Sequence, residues 1–394
     1  MEIQQCDEEE CLYINCEASN SAVAVPSSYL RAKSANRETP CPTNMFSYVV
    51  RSINLSDLLS SSVKLELRQV ANLVDDDLPY EGGCGVFGSK IVFASGLKPN
   101  SNPVFGFPFG PLATTDAYAF DVHDPNQGIV KMPALNGGKH EPLMTEFAGK
   151  LYVLSLKEYN TYVSFEVFDP QQGTWSRLPK YPNHGLLYSY AIAGTKLFMS
   201  TPVPEGEENY YSNYLKQDPS IRCFDLAASD PEWRRVPSMC QGGPLPFTGQ
   251  ALVVDLPQPK HNGGFFRNCL VVHLMSLDEN QEDISEIMEM NLPAAALPQE
   301  PSDCHLLHLG GNNMCLVNTC IRKPAHEEYK EVRLVMSYTI QGAAIPFQFE
   351  FDTSKVDKDR KNCFTAQFQP PRVFKYHIRP DSTFPPLTLG CFVL

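Results

Sequence analysis

Two short sequence patterns recur along this chain, and they restrict its fold more than any single residue does. The first is a small residue followed by Gly, one or two further residues and an apolar run, and it occurs at 87–93, 148–154 and 193–199. Repeats with a period of 20–50 residues are typical of repeat arrays and β-propellers, because one unit can bury its apolar face only against the next. A length of 394 residues suggests two or three domains, but the repeat predicts one closed domain over residues 1–394.

The second pattern is an alternating apolar strand that ends in Asp, followed by a turn, a Trp or apolar residue, and a Pro. Its aspartates are Asp121, Asp169 and Asp225. The Gly of the first pattern allows a tight hairpin with positive φ, and the Asp can accept hydrogen bonds from backbone amides of the turn that follows. Trp175 and Trp233 carry large, flat side chains, so we expect them to pack between neighbouring units.

These repeats predict an all-β chain in which each unit is a meander of antiparallel strands, the blade of a β-propeller. The predicted strand spans are 84–96, 116–123 and 129–134; 144–155, 163–169 and 174–179; 186–200, 220–226 and 232–237; 248–255, 268–276 and 285–292; and 304–308, 314–320, 333–340 and 347–351, with 363–368 as an alternative outer strand. The longest predicted loops are 17–45, 97–115, 201–219 and 255–265.

The two ends of the chain complete the predicted ring. A strand at 11–16, followed by 46–55 and 63–71, resembles a blade that lacks its innermost strand, and the C-terminal run 387–394 could supply that strand. Closure by N- and C-terminal strands would remove exposed sheet edges. The sequence therefore predicts a six-bladed β-propeller, with seven blades as the alternative because 363–378 holds more strand than one blade needs.

Composition excludes several classes of protein. The net charge of −13 argues against a nucleic-acid-binding surface, which needs concentrated Lys and Arg. We expect no membrane span and no secretory signal, since long apolar runs are absent and the N-terminus is acidic. The 13 Cys residues are scattered and show no Cys-x-x-Cys spacing, which favours reduced thiols in the cytoplasm, with the nucleus as the alternative.

The repeats resemble kelch repeats of the plant F-box/kelch-like type. The resemblance lies in Phe168-Asp169-Pro170, Gly173-Thr174-Trp175, Leu178-Pro179 and 193–198, and it covers roughly residues 84–240. It implies a propeller fold and a binding role. Two departures stand out: the paired Gly that normally ends the second strand is replaced by Leu154-Ser155 and Met199-Ser200, which predicts relaxed packing there, and no F-box-like segment precedes the first strand.

Standard catalytic and metal-binding motifs are absent from the sequence, and we expect no cofactor. Cys304, His305 and His308 are the densest group of potential metal ligands. On a strand, Cys304 and His308 would face one side and His305 the other, so the three do not predict a metal site.

The mouth of the predicted propeller is a better guide to the site than any motif. The loops that enter the innermost strands carry candidate catalytic residues His140, Glu141, His184 and His305, and candidate ligand-binding residues Glu81, Tyr188 and Asp303. The acidic and aromatic loop 202–220 adds Tyr210 and Tyr211 as candidate binding residues. Three His with carboxylates could perform acid–base chemistry, but the favoured interpretation is that they are polar groups at a solvent-filled opening.

Two functions from different classes remain open. The first is a non-catalytic, monomeric protein-binding module or adaptor, which the repeats and the missing catalytic motifs favour. The alternative is an enzyme of plant specialised metabolism, a lyase, isomerase or cyclase that binds a small metabolite in the funnel and uses its acid–base residues. In that case His140→Ala or His184→Ala would abolish turnover without unfolding the chain.

Overall fold

The computed structural model describes most of the repeat region and both terminal strands. The described residues are 11–19, 46–60, 65–74, 78–79, 82–99, 109–139, 142–155, 164–182, 189–200, 221–237, 245, 249–254, 261–266, 269–278, 281–291, 303–322, 338–352, 364–378 and 387–394. Nearly all of the regular structure in these ranges is β-strand. Its helical segments are a five-residue helix, α1 (Leu55–Leu59), and a short 3-10 turn (Pro125–Gln127).

The strands of the first half, together with one strand from the C-terminal end of the chain, form three four-stranded antiparallel sheets and one two-stranded ribbon. Sheet I has the order β27-β1-β2-β3 and sheet II the order β4-β5-β8-β9, while β6 and β7 form the ribbon and β10 to β13 form sheet III. Their bounds are β1 (Cys11–Ser19), β2 (Phe46–Asn54), β3 (Arg68–Val74), β4 (Gly83–Phe87), β5 (Lys90–Ala94), β6 (Leu97–Pro99), β7 (Phe109–Ala113), β8 (Ala117–Asp121), β9 (Ile129–Lys131), β10 (Leu143–Phe147), β11 (Lys150–Leu154), β12 (Phe165–Asp169), β13 (Thr174–Arg177) and β27 (Leu387–Val393).

The second half forms two larger sheets. Sheet IV has eight strands in the order β17-β16-β15-β14-β18-β19-β20-β21, and sheet V has the order β22-β23-β24-β25 with β26 also paired to β24. Their bounds are β14 (Ser189–Ala193), β15 (Lys196–Ser200), β16 (Arg222–Asp225), β17 (Trp233–Arg235), β18 (Gly249–Val254), β19 (His261–Phe266), β20 (Cys269–Asp278), β21 (Gln281–Asn291), β22 (Asp303–Gly310), β23 (Asn313–Arg322), β24 (Tyr338–Phe351), β25 (Phe364–Phe368) and β26 (Arg372–Ile378).

Neighbouring sheets bury alternate residues of the same strand, because successive side chains of a strand point to opposite faces. In β5, Ile91 and Phe93 pack with sheet I, while Val92 and Ala94 pack with sheet III. Other clusters join sheet III to sheet IV and sheet I to sheet V. The first strands also lie side by side: β4 contacts β10 and β27, and β22 contacts β27 and β18. The chain is therefore all-β with a propeller-like arrangement of sheets.

The prediction of six blades is wrong as stated. Four sheets have the size of one blade, whereas the blades predicted for 186–237 and 248–292 form the single eight-stranded sheet IV. The physical cause is parallel backbone pairing between β14 and β18, from Ser189–Gly249 to Ala191–Ala251. The seven-blade alternative also fails, because the surplus strands β25 and β26 both pair with the long strand β24.

The predicted pairing of the two terminal strands is confirmed. Strand β27 pairs with β1 in an antiparallel register that runs from Leu12–Val393 to Glu17–Leu387. Strands β2 and β3 complete sheet I in the predicted order. Residues close to both ends of the chain thus belong to one sheet.

Three other loop and strand predictions need correction. The predicted loop 255–265 overlaps β19 (His261–Phe266), and the predicted loop 97–115 contains the ribbon of β6 and β7. The sequence predicts two strands at 333–340 and 347–351, but Tyr338–Phe351 form one continuous strand, β24; residues 333–337 lie outside the described ranges.

The repeat patterns have the predicted local structure. Gly88, Gly149 and Gly194 adopt φ values of 59°, 69° and 58° in the turns between first and second strands. The Oδ1 atoms of Asp121, Asp169 and Asp225 accept hydrogen bonds from backbone N–H groups two residues later, at 3.0, 2.9 and 3.0 Å.

Candidate functional site

The candidate site lies at one edge of the sheets, which we call the mouth edge. At this edge the first strand of a sheet begins and the second strand ends, as the pairs Gly83–Ala94, Leu143–Leu154 and Ser189–Ser200 show. The predicted entry loops begin or end here. Lys139 and Pro142 flank positions 140–141, and Ser189 follows position 188.

Most of the predicted site residues lie outside the described ranges. These are Glu81, His140, Glu141, His184, Tyr188, Tyr210 and Tyr211. Asp303 is the first residue of β22, and its side chain is likewise not described. Of the predicted set, His305 is the residue whose surroundings the structure gives.

The side chain of His305 lies in a poor environment for a charged imidazole. His305 is on β22, opposite Val317 of β23, and its Nε2 atom is buried without a hydrogen-bond partner. Burial lowers the pKa of His305 to about 4, because the charged ring loses its hydration. His305 is therefore neutral near pH 7, and it is a weak base there.

A buried ion pair that the sequence analysis did not identify connects the mouth edge to sheet III. Lys139 precedes the entry segment of β10, and Glu166 lies on β12; both side chains are fully buried. The Lys139 Nζ atom donates to Glu166 Oε1 and, at 2.8 Å, to the Gly137 carbonyl. Burial lowers the pKa of Lys139, and the negative charge of Glu166 opposes this shift.

The Glu166 carboxylate accepts further hydrogen bonds from the segment before Lys139. Its Oε2 atom accepts from the Asn136 backbone N–H at 2.8 Å and from Asn136 Nδ2 at 2.7 Å. Its Oε1 atom also accepts from the Gly137 N–H at 3.1 Å. One carboxylate therefore fixes residues 136–139, the segment that leads from sheet II into β10.

Ser95 holds the same segment from sheet II. Its backbone has a positive φ of 63°, which is uncommon for a residue with a Cβ atom. Its hydroxyl donates to the Thr114 carbonyl at 2.6 Å and accepts from the Lys139 backbone N–H. Ser200, at the end of β15, similarly accepts from the Leu245 backbone N–H at 2.9 Å, shortly before β18.

These serines correct the expectation of relaxed packing at the ends of the second strands. Ser95, Ser155 and Ser200 are all buried. A Cβ atom on Gly138 would lie 1.9 Å from the Ala113 carbonyl oxygen, so the entry segment also packs directly against β7. At Ser95 and Ser200, side-chain hydrogen bonds hold the mouth edge.

Charged groups elsewhere at this edge also bind one another. Lys98 and Lys131 contact the Asp116 carboxylate at 2.5 and 2.9 Å. Burial raises the pKa of Asp116, but hydrogen bonds from Lys98, Lys131 and Thr114 outweigh it and lower the pKa to about 2. Asp116 is therefore ionised at all physiological pH values and stabilises the start of β8.

The described ionisable groups of the mouth edge hold its backbone in place. Among them, no group of three or more His, Cys, Asp and Glu side chains is arranged to hold a metal ion. The ionisable groups Lys139, Glu166 and Asp116 are all engaged in contacts that fix the backbone. Within the described ranges, the helices are also too short and too polar to span a bilayer.

Sequence reasoning missed Lys139 and Glu166, although a weak signal exists. Glu166 is a charged residue flanked by the apolar residues Phe165, Val167 and Phe168 in β12, and a charged group buried there needs a partner. Lys139 directly precedes His140, and the sequence pattern predicted a catalytic role for His140 and none for Lys139. No spacing rule connects residues 139 and 166 before the sheets are assembled.

Comparison with protein families gives one match. The model of a family described as "Protein of unknown function (DUF1668)" matches residues 112–363, more than half of the chain. This stretch begins in β7, ends just before β25 and includes the Lys139–Glu166 pair. No curated protein matches the chain.

Proposed function

Because the chain belongs to the DUF1668 family, whose function is unknown, we propose a function from its geometry: it is a non-catalytic, kelch-like binding module that recognises another protein at its mouth edge. The observation that carries this proposal is the engagement of Lys139, Glu166 and Ser95 in fixing an entry loop. A rigid scaffold that presents variable loops is the usual design of a binding protein.

Charge indicates the kind of partner. The chain has a net charge of −13, and the connection between β15 and β16 contains Glu205, Glu207 and Glu208. The residues that flank this connection, Ser200 and Ile221, are buried at the mouth edge. We therefore propose a partner with a basic surface, since complementary charge accelerates association and selects partners.

The proposed setting follows from the cysteines. Among the described residues, Cys84, Cys223, Cys315, Cys320 and Cys391 form no disulfide, and four of them are buried. Cysteines outside disulfides are typical of reducing compartments, so we propose that the protein acts in the cytoplasm or nucleus. We also propose that it is a single-domain monomer.

The test is capture of the tagged full chain from its native extract, with bound proteins identified by mass spectrometry. In one variant, residues 202–219 are replaced by a short Gly-Ser linker. In the matched control, residues 156–163, which connect β11 and β12 at the same edge, receive the same linker. We expect a stoichiometric partner that the first replacement removes and the control retains. A monomer without any partner under both conditions would contradict the proposal.

The alternative function, an acid–base enzyme acting on a small metabolite, is supported by one observation. Residues 136–139 are held firmly by Glu166, and the candidate His140 follows them directly. Preorganised support of this kind also suits a catalytic residue. Turnover of a metabolite that is lost in both His140→Ala and His184→Ala, with folding retained, would favour the enzyme over the binding module.

A further inference from the structure

The outermost strand of sheet IV, β21, differs from every other described outer strand in length. It spans 11 residues, and within the described part of the chain β20 is its only paired neighbour. Among the described residues, one side of its backbone therefore has N–H and C=O groups that no other strand pairs. Such an edge can accept an added strand from another chain.

The other outer strands are shorter and carry protective positive charge or no charge. Strands β9 and β17 have three residues, β13 has four, β25 has five, and β3 and β26 have seven. Their charged residues are Arg68, Lys131, Arg177, Arg234, Arg235, Arg372 and Lys375, and none contains Asp or Glu. Short length and basic residues are both common means of preventing edge-to-edge pairing.

Strand β21 has the opposite charge. Its sequence contains Glu282, Asp283, Glu286 and Glu289 and no Lys or Arg. A second copy of this edge would bring like charges together, which disfavours self-association. An incoming strand with Lys or Arg would instead place opposite charges side by side.

The register of β21 limits where a strand can add. Its pairing with β20 shifts between Val272 and His273, so residue 287 is an extra residue opposite that step. A bulge bends the strand and interrupts regular pairing. The regular part before it, Gln281–Glu286, contains three of the four acidic residues.

We propose that Gln281–Glu286 is a docking edge at which an extended, basic segment of another protein adds as a further β-strand. Backbone hydrogen bonds would supply affinity, and the acidic residues would select the basic segment. This surface lies on sheet IV at β21, so the inference goes beyond the proposed mouth-edge function and does not depend on it.

The test is fluorescence anisotropy with the purified full chain and a labelled peptide, Lys-Val-Lys-Val-Lys-Val-Lys. The triple variant Glu282→Gln, Asp283→Asn, Glu286→Gln is compared with a control of equal charge change, Asp230→Asn, Glu232→Gln, Glu350→Gln, at exposed positions elsewhere. We expect the first variant to weaken binding by about tenfold at low salt, since a single ion pair in water contributes modestly and three are removed, and the control to have a much smaller effect.

Two further measurements separate strand addition from charge attraction alone. We also compare two peptides, one N-methylated at its odd residues and one at its even residues. Each keeps its charge but loses the backbone N–H donors on one side of the extended strand, so we expect only one of the two to lose binding. Ile284→Pro should weaken binding as well. Equal binding by both N-methylated peptides, or a peptide-free dimer of the chain that Ile284→Pro dissociates, would overturn the proposal.

Discussion

At the scale of single residues, the Lys139–Glu166 pair shows how a buried charge can be tolerated. Removing two ions from water is costly, and their attraction compensates only when hydrogen bonds satisfy the remaining groups. Here the carboxylate accepts from Lys139, Asn136 and Gly137. The pair therefore fixes the entry segment of β10, and an apolar pair in its place would leave the Asn136 and Gly137 N–H groups without this acceptor.

Glu166→Gln should destabilise the protein by about 3–5 kcal/mol in urea-induced unfolding near pH 7, because Lys139 would remain buried without a counter-charge. The loss should shrink as the pH rises, because the buried Lys139 in this variant has a lower pKa than in the unfolded chain and can release its proton.

Two comparisons check this prediction. The exposed Glu350→Gln on β24 should change the free energy of unfolding by less than about 0.5 kcal/mol. The double variant Lys139→Met, Glu166→Leu should recover the part of the loss that comes from the unpaired Lys139 charge, while the cost of the Asn136 and Gly137 N–H groups that lose their acceptor remains. A Glu166→Gln protein as stable as the wild type would show that the pair does not hold the loop.

His305 should titrate far below a normal histidine. Its pKa is lowered to about 4 by burial, so between about pH 6.5 and pH 4 the unfolded chain binds a proton that the folded chain does not. Folding stability from this group should therefore be present above pH 6.5 and decrease as the pH falls through that range. His305→Asn should lack this component.

Nuclear magnetic resonance of the imidazole carbon-bound protons measures the pKa directly, with the spectrum of His305→Asn assigning the signal. A His305 signal that titrates near pH 6.5 would show that the ring reaches water in solution. It would also restore His305 as a candidate acid–base group at the mouth edge.

At the scale of secondary-structure elements, the two tryptophans connect consecutive sheets in the same way. Trp175 Nε1 donates to the Pro133 carbonyl at 2.8 Å, and Trp233 Nε1 donates to the Pro179 carbonyl at 3.0 Å. Each Pro belongs to the preceding repeat. Trp175 also packs in the cluster that joins sheets II and III, which confirms the predicted position between neighbouring units.

Trp175→Phe should destabilise the protein by about 1–3 kcal/mol, since the hydrogen bond to the Pro133 carbonyl is lost and the smaller ring leaves part of the buried indole site unfilled. Trp233→Phe is the matched comparison and should have a smaller effect, because Trp233 is more exposed. Thermal unfolding followed by circular dichroism gives both values. Equal effects of the two changes would mean that burial of the indole does not determine the contribution of its hydrogen bond.

Local patterns predicted those elements whose residues carry their own turn chemistry. The Gly and Asp turns of β4 to β16 were identified because φ preference and Asp–backbone hydrogen bonds act within a few residues. Strand β24 was divided in two because Gly342 and Pro346 interrupt its pattern. In the structure, a Cβ atom on Gly342 would lie 2.1 Å from the Phe374 ring, so this Gly makes room for β26. That requirement depends on a strand more than 30 residues away.

At the scale of the whole molecule, the arrangement of sheets depends on contacts between distant parts of the chain. Whether two meanders form separate sheets or one is decided by three parallel residue pairs between β14 and β18. No residue type marks such a junction in the sequence. The closure between the termini was easier to predict, because one unit lacked a strand and the C-terminal run had no other partner.

Removal of residues 387–394 should abolish cooperative unfolding, since it removes side chains that pack in two hydrophobic clusters. Cys391 and Val393 pack in the cluster between sheets I and V, while Phe392 and Leu394 pack against the cluster between sheets I and II. A fully buried apolar side chain contributes about 1.5–3 kcal/mol, and Cys391 is buried while Phe392, Val393 and Leu394 are partly buried. Together with the lost pairing between β27 and β1, their removal should exceed what a marginally stable fold can absorb. Differential scanning calorimetry should show the transition disappear, while a control that lacks residues 1–10, which precede β1, retains it.

A synthetic peptide of sequence 387–394 should restore the transition by pairing with β1, and a scrambled peptide should not. If the truncated chain unfolded cooperatively at the wild-type temperature, sheet I would be stable without β27, and the pairing of the termini would not be what holds sheets I, II and V together.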